Sequence, residues 1–480
     1  MKVTLLLLLS IILASAAHAA DWPTVHGNNQ RSGYTADVVL APYQRAWVAE
    51  FPGEIICTRV EAIVADNRVF VGTENGTMYA LDAASGKVIW KHSAGPIFHS
   101  PAVADGRVFF GDTDGTLWAL AAADGQVLWR FSSGKGGFVT APLVEAGTVF
   151  IGSRDGSFYA VEAANGRGLW RYATDGPIRC TAAFADGTVF FASDDMHAYA
   201  LRAADGTLVW KSEKLYGQSF RDYYPVVVAD KVVFRSVLVA EMNDDLNGGT
   251  NFLARNAGVA TGDWKVLDDF LKSDRTIGTP ELIRAEQQAI LKRLTDNKFR
   301  RTCFILDRDS GRESVVAPVM YAAGNQGCGF PPTLTADGRA IIFYRTVYSN
   351  WNLGVKPAVG VGYLDIKEGW ITPIRHANGH TPPWNTFWGT CDESTMFSTG
   401  GHILYICHQG TLSGLDLRTL RLFTIHGNRD TFGGLPAPPW MGNEWHGPAR
   451  GSAAVVNDRL YWVTGSRVLC IRGKAGGSGE

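Results

Sequence analysis

The chain has 480 residues, a formal net charge of −1 and 19% charged residues. With no excess of basic residues and no long run of like charges, the composition excludes an electrostatic nucleic-acid surface and a polybasic membrane surface. The abundance of glycine (54) and tryptophan (15) favours a protein with many tight turns and aromatic packing. Seven cysteines leave at least one thiol unpaired, and Cys303, Cys407 and Cys470 best fit buried single thiols in strands.

The first 19 residues are predicted to be a cleaved signal peptide. Lys2 precedes an apolar stretch from Thr4 to Ala16, and Ala17-His18-Ala19 fits a small-x-small cleavage site. The stretch is too short for a membrane span, which needs about 20 apolar residues. We therefore expect cleavage after Ala19 and a mature chain that is periplasmic or secreted.

Four similar stretches follow one another and end at Trp90, Trp129, Trp170 and Trp210. Their spacing of about 40 residues indicates a repeat architecture. Inside each stretch, apolar runs alternate with turn dipeptides such as Asn75-Gly76 and Asp114-Gly115, which are typical of tight hairpins. Four strands of about 6 residues with their turns fill one interval, so each repeat predicts one blade of a β-propeller.

The number of blades is predicted from apolar runs that precede an aspartate or glycine turn. The eight predicted inner strands are Ala62–Asp66, Ala102–Asp105, Leu143–Gly147, Ala183–Asp186, Val226–Asp230, Thr333–Asp337, Thr395–Gly400 and Ala453–Asp458. Only three strands remain for the last blade, and Arg45–Glu50, with Trp47 at the repeat's tryptophan position, can supply its outer strand. That arrangement would leave no open ring edge.

We predict an all-β, eight-bladed propeller of four-stranded antiparallel blades, forming a single domain over residues 20–475. Seven blades is the alternative if blade five is misread. A helical insertion at about residues 262–300 is expected in blade five, because Thr279 and Pro280 precede a stretch with a one-sided apolar stripe. We expect its helix to lie over the outer edge of the blade.

The repeated pattern Ala80-Leu81-Asp82-(x)3-Gly86-(x)3-Trp90 resembles the tryptophan-docking motif of the quinoprotein, or PQQ-repeat, β-propellers. The opening DWPTVHGNNQRSGYT is also similar to exported members of that superfamily. The resemblance implies that the tryptophans dock neighbouring blades; they are Trp47, Trp90, Trp129, Trp170 and Trp210. It specifies the fold and says little about the ligand.

Two branches of the superfamily suggest different functions. The dehydrogenases hold pyrroloquinoline quinone (PQQ) with calcium beside a disulfide of adjacent cysteines, but this chain has no Cys-Cys pair and no CxxCH haem motif. The outer-membrane assembly lipoproteins are scaffolds, but the anchoring cysteine is missing here. No cofactor is therefore expected, and PQQ with calcium is kept as the alternative.

The connections that lead into blades five to eight are long and rich in aromatic and charged residues, unlike those of blades two to four. Such loops are common sites of function. The ligand-binding candidates on them are Arg221, Asp222, Tyr223, Tyr224, His380, Trp384, Trp388, Asp392, Glu393, Trp445, His446 and Arg450. Asp392 and Glu393, together with His446 or Arg450, would form a polar or acid–base clamp.

No metal site is predicted, because the histidines and cysteines of the C-terminal third match no strong zinc spacing. His99 and Cys180, at equivalent places before inner strands, are expected to face the channel as packing residues. The first functional hypothesis is a monomeric binding or scaffold module for a protein or glycan. A quinoprotein oxidoreductase with a rearranged site and a carbohydrate-active hydrolase or lyase are the alternatives, so the sequence does not decide whether the protein is an enzyme.

Overall fold

The computed structural model describes residues 21–237 (without 58, 135, 218 and 222), most of 284–319, and 331–347, 358–374, 396–408, 411–427 and 449–476. Within these ranges the chain forms eight antiparallel sheets of four strands, one of which is joined by a short fifth strand. Each sheet takes its strands in chain order from the ring axis outward, apart from the last.

The first four blades repeat one plan of a short inner strand followed by three longer strands. The strands of blades one and two are β3 (Ile63–Ala65), β4 (Arg68–Gly72), β5 (Thr77–Asp82), β6 (Val88–Ser93), β7 (Ala102–Ala104), β8 (Arg107–Gly111), β9 (Thr116–Ala121) and β10 (Val127–Ser132). Those of blades three and four are β11 (Leu143–Glu145), β12 (Thr148–Gly152), β13 (Ser157–Glu162), β14 (Gly168–Ala173), β15 (Ala183–Ala185), β16 (Thr188–Ser193), β17 (His197–Arg202) and β18 (Leu208–Lys211).

The second half of the ring follows the same plan with less regular lengths. The strands of blades five and six are β19 (Val226–Val228), β20 (Lys231–Arg235), β21 (Cys303–Asp307), β22 (Glu313–Val315), β23 (Thr333–Leu334), β24 (Ala340–Val347), β25 (Ala358–Leu364) and β26 (Ile371–Pro373). Those of blades seven and eight are β27 (Met396–Gly400), β28 (Ile403–His408), β29 (Thr411–Asp416), β30 (Arg421–His426), β31 (Ala449–Val456), β32 (Arg459–Thr464) and β33 (Arg467–Gly476).

Blade eight is completed by the N-terminal strand β2 (Val38–Glu50), which pairs antiparallel with β33. The sheet order is β2-β33-β32-β31, so β2 is the outermost strand and β31 the innermost. The inner strands of blades one and eight are neighbours, which closes the ring. The predicted eight-bladed, all-β propeller is therefore confirmed, together with its closure by an N-terminal strand.

The repeat tryptophans join each blade to the next one. The indole Nε1 atoms of Trp47, Trp90, Trp129 and Trp170 donate to the carbonyls of Ala83, Ala122, Ala163 and Ala203 at 2.9–3.1 Å, and Trp210 donates to the Arg308 carbonyl at 2.8 Å. Each ring also lies flat on a glycine of the neighbouring turn, where no side chain would fit. The indoles therefore combine buried apolar area with one directional bond.

Blade five has no tryptophan at this position, and Val315 takes its place. A Cβ added at Gly369 of blade six would lie 2.8 Å from Val315 Cγ2, so the smaller side chain still contacts the glycine of the next turn.

The acidic position of the repeated motif has a local role as well. Asp307 Oδ1, for example, accepts the Ser310 backbone N–H at 3.0 Å and so fixes the turn before β22.

Helical residues occur in the blade-five insertion at 284, 287, 288, 291, 292 and 294–296, followed by a 3-10 turn over Lys298–Arg300. The buried Gln287 amide donates to the Ile371 carbonyl at 2.7 Å and accepts the Ile371 N–H at 3.1 Å. Arg284 lies 3.8 Å from the Trp370 ring centroid. The helix thus covers an outer strand as expected, but that strand belongs to blade six rather than blade five.

Residues 22–35, the axial segment, run across the inner strands of the ring. Trp22 and Val64 of blade one exchange backbone hydrogen bonds at 2.7 and 3.0 Å, and β1 (Tyr34–Thr35) adds in parallel to β27. The other contacts, in blade order, are Val103 N–H to the Pro23 carbonyl, Asn29 Nδ2 to the Val144 carbonyl, and the N–H groups of Phe184, Val227, Leu334 and Thr399 to the carbonyls of Asn29, Gln30, Ser32 and Gly33.

The axial segment therefore contacts blades one to seven in order within one circuit of the axis, and Asp37, just beyond it, accepts the Asn457 N–H of blade eight. These bonds satisfy inner-strand N–H and C=O groups that would otherwise face the axis unpaired.

Cys303, Cys407 and Cys470 are buried free thiols in strands, as expected. Among the described residues, no helix has the length and apolarity needed to cross a membrane.

Candidate functional site

The face of the ring that holds the links from each outer strand to the next inner strand is called the connection face. On this face, the position two residues before the start of an inner strand is polar in four of the blades. The residues at that position are Glu61, Ser100, Thr181 and Tyr224, and all four are buried. Ser452, also buried, lies within β31 two residues before Ala454, where pairing with β32 resumes after a register shift. Equivalent positions in the repeat therefore place polar side chains around one end of the axis.

Glu61 is the central acceptor of this group and is only 1% exposed. Its Oε2 accepts the His26 backbone N–H at 2.8 Å and Trp22 Nε1 at 3.3 Å, and its Oε1 accepts the Ser452 hydroxyl at 2.7 Å. Burial raises the pKa of Glu61, while these hydrogen bonds oppose the rise. We call Trp22, His26, Glu61, Tyr224 and Ser452 the axial cluster.

His26 lies against Tyr224, with the phenol oxygen 3.0 Å from Nδ1 and the ring centroids 4.9 Å apart. Burial lowers the pKa of His26 to about 3, a shift that the Pro332 backbone opposes and Arg31 reinforces. The imidazole is therefore neutral at physiological pH, and its Nδ1 shares a hydrogen bond with the Tyr224 hydroxyl. His26 has a φ of 58° and packs on Gly33, where a Cβ would lie 2.3 Å from Nε2.

Arg31 attaches the axial segment to blade four. Its guanidinium is fully buried; Nε donates to the Ala182 carbonyl at 2.9 Å, and Nη1 donates to Thr24 Oγ1 at 2.6 Å and to the Val25 carbonyl at 2.8 Å. Burial lowers the pKa of Arg31 to about 10, with Glu61 the first of the opposing charges. Arg31 thus stays protonated at neutral pH and is held mainly by backbone carbonyls.

The residues expected to face the channel in blades two and four are buried in the same region. His99 Nδ1 accepts the Ser100 N–H at 3.0 Å, and His99 Nε2 lies 3.3 Å from Thr181 Oγ1. Burial raises the pKa of Cys180 to about 12, so it remains a thiol. His99 and Cys180 accordingly contribute packing and hydrogen bonding.

Arg59 and Tyr223 connect opposite sides of the ring on the connection face. The Arg59 guanidinium carbon lies 5.3 Å from the Tyr223 ring centroid, although Arg59 precedes blade one and Tyr223 precedes blade five. In an eight-membered ring those blades face each other. Together with the axial segment, this contact fills the axis with protein at the level of the described residues.

The predicted ligand-binding residues are described only in part. Arg221 is exposed on the connection before blade five, Tyr223 and Tyr224 are buried, and Arg450 lies in β31 opposite Val463. The others lie outside the described residues, namely Asp222, His380, Trp384, Trp388, Asp392, Glu393, Trp445 and His446. The ligand-binding role of all twelve stays a prediction.

The chemistry available to the axial cluster is limited by its burial. A carboxyl, a neutral imidazole and a phenol lie in contact, but they bond to one another and to the segment that covers them. No group of three or more His, Cys, Asp or Glu side chains within the described parts of the chain is arranged to hold a metal ion. At this level the axis is occupied by residues 22–35, which bond to the inner strands.

The repeated sheets, closed ring and docked indoles define an eight-bladed β-propeller of the tryptophan-docking type. Two overlapping stretches, residues 44–137 and 121–237, match the family model described as PQQ_2, outer membrane protein assembly factor BamB. The resemblance to PQQ-repeat propellers is thus confirmed. No curated protein sequence matches the chain.

Solved structures show the same fold over nearly the whole chain. BamB from Moraxella catarrhalis is 13% identical with a TM-score of 0.51, and the match covers 90% of this chain and 99% of BamB. Quinohemoprotein alcohol dehydrogenase from Comamonas testosteroni is 14% identical with a TM-score of 0.58, covering 96% and 82%. The designed protein Ika8 is 14% identical with a TM-score of 0.53, covering 90% and 99%. At these identities the likeness concerns the fold alone.

Proposed function

We propose that this protein is an exported, monomeric binding or scaffold module that recognises a protein partner through the connection face of blades five to eight. The observation that supports this most is the filled axis. Because the axial segment occupies the inner edges of blades one to seven, a small-molecule site at that level would have to displace part of the fold. Recognition at the loops above it needs no such change.

The uneven length of the connections supports the choice of blades. The links into blades two, three and four are short, as between Ser93 and Ala102, whereas the later links span residues 316–332, 374–395 and 427–448. The two longest contain Trp384, Trp388 and Trp445. Tryptophan is enriched at the energetic centres of protein interfaces, which favours a binding surface there.

The family description favours a protein over a glycan as the partner. The matching model is that of an outer membrane protein assembly factor, and the match lies in the regular half of the ring. That description concerns the assembly of proteins, which favours a protein as the partner. Export, which the apolar N-terminus predicts, would place such a module in the same compartment.

Partner capture with matched variants tests the proposal. The purified mature protein would be crosslinked in a periplasmic extract of its own organism, and the captured proteins would be quantified by mass spectrometry. We expect one protein to be captured by the wild type and lost with the double variant Trp384→Ala/Trp445→Ala. It should be retained with Leu128→Ser, which alters an exposed outer strand of blade two. All proteins must show the same melting temperature and circular dichroism.

Capture that is equal in both variants would contradict the proposed surface. A titration with PQQ and calcium, followed by absorbance and tryptophan quenching, tests the oxidoreductase alternative. Saturable one-to-one binding would refute the scaffold function and favour a quinoprotein. Specific retention of an oligosaccharide on a glycan array, lost with Trp384→Ala/Trp445→Ala, would instead identify a carbohydrate-binding or carbohydrate-active protein.

A further inference from the structure

The outer strands of blades one to four carry exposed apolar side chains at one repeated place. Each strand contains a β-bulge, whose extra residue has no partner on the neighbouring strand; these residues are Ile89, Leu128, Leu169 and Val209. Three of them follow another exposed apolar residue, namely Val88, Val127 and Leu208. We call these seven residues the apolar rim. They are 39–52% exposed, and only two other large apolar side chains in the described part of the chain are exposed.

The bulge itself does not require a large apolar residue. Blades five and eight have the same bulge in β22 and β2, and its extra residue is Ser314 in one and Ala46 in the other. Both are exposed. An exposed apolar side chain at a sheet edge gains nothing from water and invites association, so natural edges usually avoid it. The apolar rim is therefore not explained by the fold and indicates a surface that another molecule covers.

Positive charge accompanies the apolar rim. The residue after each docking tryptophan is an exposed cation, and these cations are Lys91, Arg130, Arg171 and Lys211. Each follows the extra residue of its bulge by two positions. Lys211 pairs with Asp175 at 3.6 Å and with Asp195 at 3.9 Å, whereas the other three form no ion pair within the described residues. The four outer strands contain no aspartate or glutamate.

The turns before these strands contain carboxylates but do not reverse the balance. Residues 82–91, 121–130, 162–171 and 202–211, each a turn with its outer strand, together hold seven lysines and arginines against four carboxylates. The equivalent stretch of blade five, residues 307–316, holds two arginines against three carboxylates. The blades that expose the apolar rim are thus also the ones with an excess of positive charge.

This combination of charge and shape selects the kind of occupant. A second copy of this chain is disfavoured, because pairing two rims would bring the same cations together. A lipid surface is disfavoured by shape, since the four blades form a convex half of the ring and a flat surface would meet only neighbouring blades. A separate protein segment that carries apolar and acidic side chains meets neither obstacle.

We propose that the apolar rim binds extended segments of another protein whose apolar and acidic side chains share one face. Side chains two positions apart in an extended chain point to the same side, as Ile89 and Lys91 do around Trp90, so an apolar residue followed two positions later by an acidic one would match each outer strand. Four similar strands would bind a partner with several such segments more tightly than a single segment. This surface lies on the outer strands of blades one to four, apart from the connection face proposed above.

Peptide titration by fluorescence anisotropy tests the surface. The probe is a labelled peptide that repeats Leu-Ser-Asp-Ser, and its matched controls repeat Ser-Ser-Asp-Ser and Leu-Ser-Lys-Ser. We expect saturable binding of the probe to the purified mature protein, and dissociation constants at least about tenfold higher for both control peptides. Equally tight binding of Leu-Ser-Lys-Ser would refute the charge complementarity, and equally tight binding of Ser-Ser-Asp-Ser would refute the apolar contact.

Variants locate the binding on the rim. The fourfold variant Ile89→Ser/Leu128→Ser/Leu169→Ser/Val209→Ser introduces the residue that blade five uses at this bulge, so its circular dichroism should match the wild type. We expect it to raise the dissociation constant of the probe at least about tenfold. The control Ile55→Ser/Phe299→Ser removes the other two exposed large apolar side chains and should bind like the wild type. Equal binding by the fourfold variant and the wild type would overturn the proposal.

A charge variant and two further measurements complete the test. Lys91→Gln/Arg130→Gln/Arg171→Gln should weaken probe binding and make it less sensitive to salt, and an unchanged salt dependence would contradict the role of the cations. Concentration-dependent dimers in sedimentation velocity that the fourfold variant abolishes would overturn the proposal in favour of a second copy. Binding to phosphatidylglycerol vesicles that the same variant abolishes would overturn it in favour of a membrane. Because the rim and the connection face are separate, any of these failures leaves the proposed function standing.

Discussion

The neutral, buried His26 predicts a specific pH dependence of stability. Its pKa is about 3 in the folded protein against 6.5 in the unfolded chain, so between these values only the unfolded chain takes up the proton. Stability from this group is present above pH 6.5 and is lost as the pH falls toward 3. Between pH 7 and pH 5 the loss amounts to about 2 kcal/mol.

The variant His26→Asn isolates this contribution. Asparagine tolerates the left-handed backbone at φ 58°, so the change removes the titrating group without adding strain. The free energy of unfolding would be measured by urea titration with tryptophan fluorescence at several pH values. We expect the wild type to lose about 2 kcal/mol more than His26→Asn between pH 7 and pH 5.

The control for this experiment is Val64→Ala, which weakens the core of blade one without changing a titratable group. It should lower stability by a similar amount at every pH, so that its curve runs parallel to that of the wild type. Equal losses for the wild type and His26→Asn between pH 7 and pH 5 would refute the view that His26 is buried in its neutral form.

Three further outcomes follow from the same geometry. Glu61 should contribute a pH dependence of opposite sign to that of His26. Because burial raises its pKa in the folded protein, the wild type should lose stability relative to Glu61→Gln as the pH rises above 4.5, which the same urea titrations would detect. Gly166→Ala should cost about 1–3 kcal/mol more than Gly147→Ala, because both glycines have positive φ but only at Gly166 would the Cβ meet Trp129, at 2.7 Å; equal costs in thermal unfolding would argue against indole docking. Arg31→Leu should cost about 3 kcal/mol by stranding buried carbonyls, and no loss in denaturant midpoint would contradict that role.

Much of the fold could be predicted because a blade is a local structure. Its strands are joined by short turns, so the apolar alternation and the turn dipeptides between Val69 and Trp90 contain the information for one complete sheet. Repetition then gives the number of blades. The closing strand was also predictable, since Trp47 reproduces the repeat's tryptophan before any sheet partner is known.

The buried polar residues around the axis were predicted only in part. His99 and Cys180 stand out because they precede inner strands at equivalent places, but His26, Arg31 and Glu61 were missed. A signal existed for Glu61, since it shares the position two residues before an inner strand with Ser100, Thr181 and Tyr224. No comparable signal marks His26, because its partners Glu61 and Tyr224 are 35 and 198 residues away in the chain.

The sequence by itself determined the repeating unit, the count of eight and the docking tryptophans, because each depends on residues within about 40 positions of one another. Only the tertiary structure decided what fills the axis. The axial segment contains no regular repeat, and its hydrogen-bond partners are the edges of inner strands, which exist only after the ring has closed. Satisfying those edges buries His26, Arg31 and Glu61 together, and it leaves the irregular connections of blades five to eight as the surface that we propose for binding.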